Sequence, residues 1–214
     1  RSDLLVQEAI SVFLEHLAIE LGHLPFALEL AAAYMSANQT DIASYLQLLK
    51  AHRQETSAAG VATDSLTSTL NTIWQITFVQ LDETEGASPL LSLCSFLASE
   101  NLPLDAFRKL DSSQIDTELI PVLTDESKWN EALDALSQTS VFVQTADAIS
   151  IHPLVQALSR DRLKFREGVR WVQICADLLN VVYDLDVYDL RTWRTAGQLL
   201  PHLRTITEWA DKYK

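Results

Sequence analysis

Leu21-Gly22-His23-Leu24-Pro25-Phe26-Ala27-Leu28 is the stretch on which the architecture turns. Glycine just past a helix end accepts the positive φ that closes the last turn, and proline suits the first helical position, where no N–H is needed. The octet therefore predicts that Gly22 ends one helix and Pro25 opens the next, a rigid corner with the flat proline face exposed inside it. Upstream, Ile10, Phe13, Leu14, Leu17 and Leu21 repeat at three and four, the period that lines one face of a helix from Val6 to Leu21. Downstream, Phe26 to Met35 is apolar almost all round, which predicts a helix buried on several sides at the centre of its bundle. Thr40 or Asp41 is placed to cap a third helix carrying Ile42, Tyr45, Leu46 and Leu49, and the small, polar stretch Gln54 to Thr63 reads as a linker.

Asp64 or Ser65 then caps a helix with Leu66, Leu70, Ile73, Trp74, Thr77, Phe78 and Leu81 on one stripe, followed by the acidic loop Asp82 to Gly86. Pro89 to Ala98 is densely apolar, Pro103 opens a short helix through Leu110, and Lys128 to Gln138 makes another with Trp129, Leu133 and Leu136. Residues Asp111 to Ser127 read as an insertion between these last two. Val141 and Val143, then Ile149 and Ile151, alternate with other residues about a turn at Ala146-Asp147, the period of a small β-hairpin. Three helices followed by a hairpin is a winged-helix order. The helical period returns from His152 to Leu163 and, after Gly168, through Val182. Asp184 to Asp189 reads as a loop, and a last amphipathic helix from Leu190 to Trp209 contains Pro201, which should kink or bound it. The expected fold is mainly α: a helical bundle over residues 1–60, a winged-helix domain with a small β-hairpin over 61–167, and an α-hairpin over 168–214 that resembles the start of a helical repeat.

A chain of 214 residues with 48% hydrophobic content can bury roughly 70% of its unfolded surface, enough for one large or two small cores. Its 16 basic and 29 acidic residues leave a net charge of −13, which repels phosphate backbones and anionic membrane surfaces, so nucleic acid and membrane are poor partners. No apolar run approaches the length of about 18 residues that a membrane span requires. Cys94 and Cys175 sit among apolar neighbours, the setting of buried free thiols in a reducing cytoplasm. The first residue is Arg1 rather than Met and a helix follows at once, so the chain reads as a cytoplasmic piece of a longer polypeptide.

No residue set for bond-making chemistry is visible. A phosphate-cradling loop needs glycines at fixed offsets and a following lysine, yet the chain has 5 Gly and no Gly-Lys step. It contains no Gly-x-Ser-x-Gly elbow, no His-Glu-x-x-His and no Cys-x-x-Cys. His16 and His23 lack a nearby carboxylate set, and neither Asp82-Glu83-Glu85 nor Asp184-Asp186-Asp189 has the spacing of a calcium loop.

Taken in order, four segments resemble the C-terminal half of the nucleotide-binding switch in STAND-class ATPases of the NB-ARC type. Leu21 to Leu28 is similar to the family's Gly-Leu-Pro-Leu-Ala-Leu segment in its helical subdomain. Leu90 to Ala98, followed by Leu102-Pro103-Leu104, resembles the first part of its winged-helix subdomain. Ile151-His152-Pro153-Leu154-Val155-Gln156 resembles the histidine motif after the wing, in the His-x-Leu-Val-Gln form of members carrying TPR arrays. Trp193 with Leu199-Leu200-Pro201-His202 looks like the start of such an array.

The resemblance implies roles. Pro25, with Gly22 and Leu24 beside it, would pack on the adenine of ADP, and a pre-formed apolar ring suits that task because it loses almost no side-chain entropy. His152 would donate a ring N–H to the β-phosphate, so that the two residues wall a common nucleotide site whose phosphate cradle, and Mg with ATP, belong to a preceding P-loop domain acting in cis. Pro153 stands where many members have Asp, removing a carboxylate and a backbone donor. The implied function is a non-catalytic lid and clamp that holds ADP in a closed regulatory ATPase and releases it for homo-oligomerisation and signalling with ATP. A repeat domain would follow, and this chain alone would hold no nucleotide tightly. The bland readings are Pro25 as simple helix punctuation and His152 as a helix cap or core residue.

Two other classes stand beside it. A winged-helix DNA-binding regulator would read DNA with the helix near Lys128 to Gln138, but Glu131 and Asp134 accompany its one cation there, the wrong sign for a phosphate-lined groove. A helical interaction scaffold would use Trp193, Trp209 and Tyr213 as anchors.

Overall fold

A computed structural model describes residues 2–58, 65–107, 118–183 and 189–214. The end of the expected linker, the candidate cap Asp64, the end of the helix expected to reach Leu110, the first part of the expected insertion and most of the Asp184 to Asp189 loop lie outside the described residues. The chain is mainly helical with a small antiparallel sheet, and it divides into two compact units, residues 1–80 with 138–140 and residues 81–137 with 141–214.

The first unit contains α1 (Ser2–Glu20), α2 (Pro25–Ala37), α3 (Ile42–Ala58) and most of α4 (Ser65–Asp82). The N–H of Gly22 donates to Ile19 at 3.0 Å and that of His23 to Ala18 at 2.8 Å, the paired closing bonds of a Schellman motif with Gly22 at φ 63°. Asp41 caps α3, its Oδ1 accepting from the Ser44 N–H at 2.9 Å and its Oδ2 from the hydroxyl at 3.1 Å; these bonds, the backbone one foremost, hold the carboxyl below the usual carboxylate range. Both α1 and α2 pack on α3.

Two expectations are corrected in this unit. The helix α2 buries one stripe, Ala27, Leu30 and Ala31, rather than several sides; α3 packs along it. Of the apolar stripe of α1, Leu17 and Leu21 are buried, whereas Phe13 and Leu14 are 43% and 49% exposed. Full burial contributes roughly 1.5–3 kcal/mol for a leucine, so Leu17 and Leu21 each anchor α1 by that order. In addition, α3 runs on to Ala58, into the stretch read as a linker.

In the second unit, which takes the end of α4 from Leu81, Gly86 with φ 82° starts α5 (Ala87–Ser95). The unit continues with β1 (Leu102–Pro103), α6 (Leu104–Phe107), α7 (Ile120–Thr124), α8 (Glu126–Gln138), β2 (Phe142–Gln144), β3 (Ala148–Ile151), α9 (Pro153–Asp161), α10 (Phe165–Val182) and α11 (Leu190–Lys212). The sheet order is β1-β3-β2, with Leu102 opposite Ile149 and Phe142 opposite Ile151. Ile149 and Ile151 face the core, and the register puts Phe142 there with them. Val143 is therefore turned outward, at 67% exposure, while Val141 just ahead of β2 is buried.

Further corrections concern the connections. Pro103 lies in a strand rather than opening a helix; two residues with a proline carry no readable alternation, but proline is tolerated on an edge strand. Residues 120–127, read as insertion, supply α7 and the start of α8. Gly168 does not interrupt the chain: α10 starts at Phe165, and Gly168 is bare because a β-carbon there would lie 2.4 Å from the Tyr213 hydroxyl. The last helix continues through Pro201. Ala196, Leu199 and Ile206 are its buried apolar face, with Trp193 and Leu200 half exposed or more.

Candidate functional site

Gly22, Leu24 and Pro25 sit together in the corner of the first unit. Two consecutive left-handed residues, Gly22 and His23 at φ 54°, reverse the chain, and Leu24 is extended (φ −80°, ψ 118°), as the residue before a proline must be. Pro25 is the first residue of α2 and is exposed; Gly22 and Leu24 are half-buried. The helix takes its first hydrogen bond from Leu28 N–H to the Leu24 carbonyl at 3.0 Å, so the missing proline N–H costs nothing.

His152 belongs to the second unit, between the end of β3 and the start of α9. It is exposed and is the N-cap of α9, its Nδ1 accepting the Leu154 N–H at 3.1 Å. An Nδ1 that accepts cannot carry the ring proton, so the neutral imidazole holds that proton on Nε2. Capping and a donating Nε2 are thus compatible in one tautomer. Pro153 stands at the first helical position, where no N–H is needed.

Sequence reading missed what surrounds this turn. The carbonyls at the C-terminal end of α5 and in the turn that follows receive side-chain donors from neighbouring helices. Gln156, 5% exposed, gives its amide to the carbonyls of Cys94 and Leu97, both at 3.0 Å; Arg160 donates to the Ser95 carbonyl; and the Cys175 thiol donates to that of Leu93 at 3.2 Å. The last four carbonyls of a helix lack partners within it; those of Leu93 and Cys94 also take the N–H groups of Phe96 and Leu97, both at 3.3 Å, and the side chains add to these turn bonds. Only the Gln at the end of the His-x-Leu-Val-Gln run gave a sequence signal.

On the other side of the same loop, His202 is fully buried and accepts the Ala98 N–H through Nδ1 at 3.2 Å. Its Nε2 has no hydrogen-bond partner among the described residues, and burial holds its pKa below 6.5, an effect the Asn101 carbonyl opposes in part. An open polar groove of about 940 Å³ lies beside it, lined by Glu100, Asn101, Asp147 and Arg194 among others.

The remaining candidates have structural partners. Lys128, the cation of α8, pairs with Glu85 at 2.8 Å, which raises its pKa and occupies the charge a DNA-reading helix would need. Asp82 accepts from Ser88 and from Arg162 at 3.4 Å. His16 lies 3.5 Å from Glu20. Trp209 and Tyr213 pack on Phe96 at ring distances of 5.6 and 6.2 Å, with Arg160 4.5 Å from the Trp209 centroid, whereas Trp193 is 50% exposed. Both cysteines are buried free thiols whose pKa values burial pushes up. Among the described residues no cluster of three metal-ligating side chains occurs, and no helix is long and apolar enough to cross a membrane. Compared with known proteins, the chain matches no family model, no curated sequence and no solved structure.

Proposed function

We propose that this chain is the lid-and-clamp half of a STAND-type, NB-ARC-like nucleotide switch, in which Pro25 packs on adenine and His152 donates to the β-phosphate of ADP held by a P-loop domain in cis. The observation that carries the reading is the place of His152: exposed, directly after the last strand of the sheet, and capping α9 in a tautomer whose ring proton is on Nε2. An imidazole N–H at the positive end of a helix suits an anionic oxygen. The exposed Pro25 at the Schellman corner supports the adenine contact.

In this reading residues 87–151 are a winged helix. Support comes from the order α5, β1, α6, α7, α8, β2, β3 and from a sheet in which the short strand after the first helix pairs with the second arm of the hairpin. The packing of α10 on α11 supports a first pair of repeat helices. The chain does not itself catalyse; it works in the cytoplasm by biasing a two-state equilibrium, which a ligand shifts only by its differential affinity for the two states. Losing the His152 contact favours the open, self-associating state.

The test is the full-length protein with His152→Asn, which keeps a cap at this position and removes the ring donor. Faster ADP release and a shift toward oligomer are expected; unchanged release and an unchanged oligomer distribution would refute the clamp.

A further inference from the structure

We propose that Gln156 is a positioning residue for His152. This rests on the nucleotide-clamp reading above and names the part of the fold that makes the clamp rigid. His152, Gln156 and Arg160 are spaced by four along α9, so they follow one another on a single face, one turn apart. Gln156 bonds the Cys94 carbonyl of α5 and the Leu97 carbonyl just past its end, and Arg160 bonds that of Ser95, the first pair from a side chain almost without solvent exposure. On the strand side, Ile151 N–H donates to the Ser99 carbonyl at 2.7 Å while Ile151 pairs with Phe142. His152 is therefore suspended between two fixed points, the end of β3 and the first full turn of α9.

The chemistry makes Gln156 the more demanding of them. A side-chain amide has two N–H donors on one nitrogen, and here both are used, on carbonyls three residues apart at a helix end. Sliding or rotating α9 by one residue breaks both bonds at once, stranding the buried amide of Gln156 and leaving the Cys94 carbonyl with only the Leu97 N–H at 3.3 Å. The depth and direction of the imidazole are set by that all-or-none contact, so the donor reaches a phosphate oxygen at hydrogen-bond distance only while Gln156 holds α5.

The experiment compares Gln156→Leu, Gln156→Glu, His152→Asn and the double variant Gln156→Leu/His152→Asn in the full-length protein, reading dissociation of a fluorescent ADP and cooperative unfolding in denaturant. His152→Asn is expected to speed ADP release on the order of tenfold, the size of one hydrogen bond to a charged group. Gln156→Leu should approach the same rate, and the double variant should be no faster than His152→Asn alone. Gln156→Glu faces two carbonyl oxygens with a carboxylate, so its defect relative to the parent protein should shrink as pH is lowered and the protonated acid donates to one of them. It also keeps the test open if Gln156→Leu does not fold. In this chain by itself, Gln156→Leu should move the ¹⁵N resonances of the His152 ring and leave those of His16, which belongs to the first unit, in place.

Gln156→Leu releasing ADP at the parent rate while His152→Asn is fast would overturn the positioning role and spare the clamp. Additive effects in the double variant, or a Gln156→Glu defect that is the same at all pH values, would overturn it as well. No effect of His152→Asn would remove the clamp reading itself, and the positioning role with it.

Discussion

Val122 occupies the space in which a β-carbon on Gly86 would stand: the two would meet at 1.7 Å, and Gly86 has a φ of 82°. The glycine thus serves twice, admitting the left-handed turn before α5 and admitting the Val122 side chain from α7. Gly86→Ala should lose roughly 1–2 kcal/mol to the backbone conformation and about 1–3 kcal/mol to overpacking. Denaturant unfolding measures the sum. Val122→Ala in the same background should return part of the overpacking loss but none of the backbone strain.

Arg53 ties three helices of the first unit together. It bonds the Glu20 carboxylate, the Glu20 carbonyl at 2.6 Å and the Thr69 hydroxyl at 2.9 Å, and is about one-third exposed. Its planar fork addresses the end of α1 and α4 simultaneously, which a single ammonium cannot. Arg53→Met should cost about 1–3 kcal/mol, toward the lower end because solvent reaches the pair. Arg53→Lys should recover less than half of that; full recovery in a thermal melt would show that charge alone matters.

His202 predicts an acid-sensitive second unit. Its folded pKa lies below the unfolded 6.5, so the folded state binds fewer protons, and stability is complete above that pH. As pH falls below 6.5 stability should decline by up to about 1.4 kcal/mol per unit, until the folded pKa is reached. Protonation removes the lone pair that accepts the Ala98 N–H. His202→Gln, unfolded at pH 7.5, 6.0 and 5.0, should show a flatter dependence than the parent chain; equal slopes would place the titration elsewhere.

Tyr45 is buried, with its ring 5.4 Å from that of Tyr34, and its hydroxyl has no hydrogen-bond partner among the described residues. Burial, with Tyr34 adding to it, pushes the hydroxyl pKa up. Removing an unsatisfied buried polar group recovers its desolvation cost, so Tyr45→Phe should hold or raise stability, by about 1 kcal/mol at most. A loss of that size in chemical denaturation would mean that the hydroxyl has a partner.

The corner at Gly22 and Pro25, the Asp41 cap, the hairpin turn and the histidine before α9 could all be read from neighbours within a few residues. Each expresses a backbone preference or a short-range hydrogen bond that exists wherever those residue types are placed together. The stripe on α1 was legible as a stripe, but that Leu17 and Leu21 are buried while Phe13 and Leu14 are exposed is not encoded in its period.

Local pattern could not supply the bonds that join distant segments. Gln156 finds Cys94 from 62 residues away, His202 finds Ala98 from 104, and Arg53 finds Glu20 from 33. Periodicity reports which face of a helix is apolar; it says nothing of which polar side chain will meet an open helix end, or of a two-residue strand such as Leu102–Pro103 that exists only because Ile149 and Ala148 lie beside it. Those choices follow from the need to satisfy every buried donor and acceptor once the apolar faces have met, a condition that arises only in the packed chain.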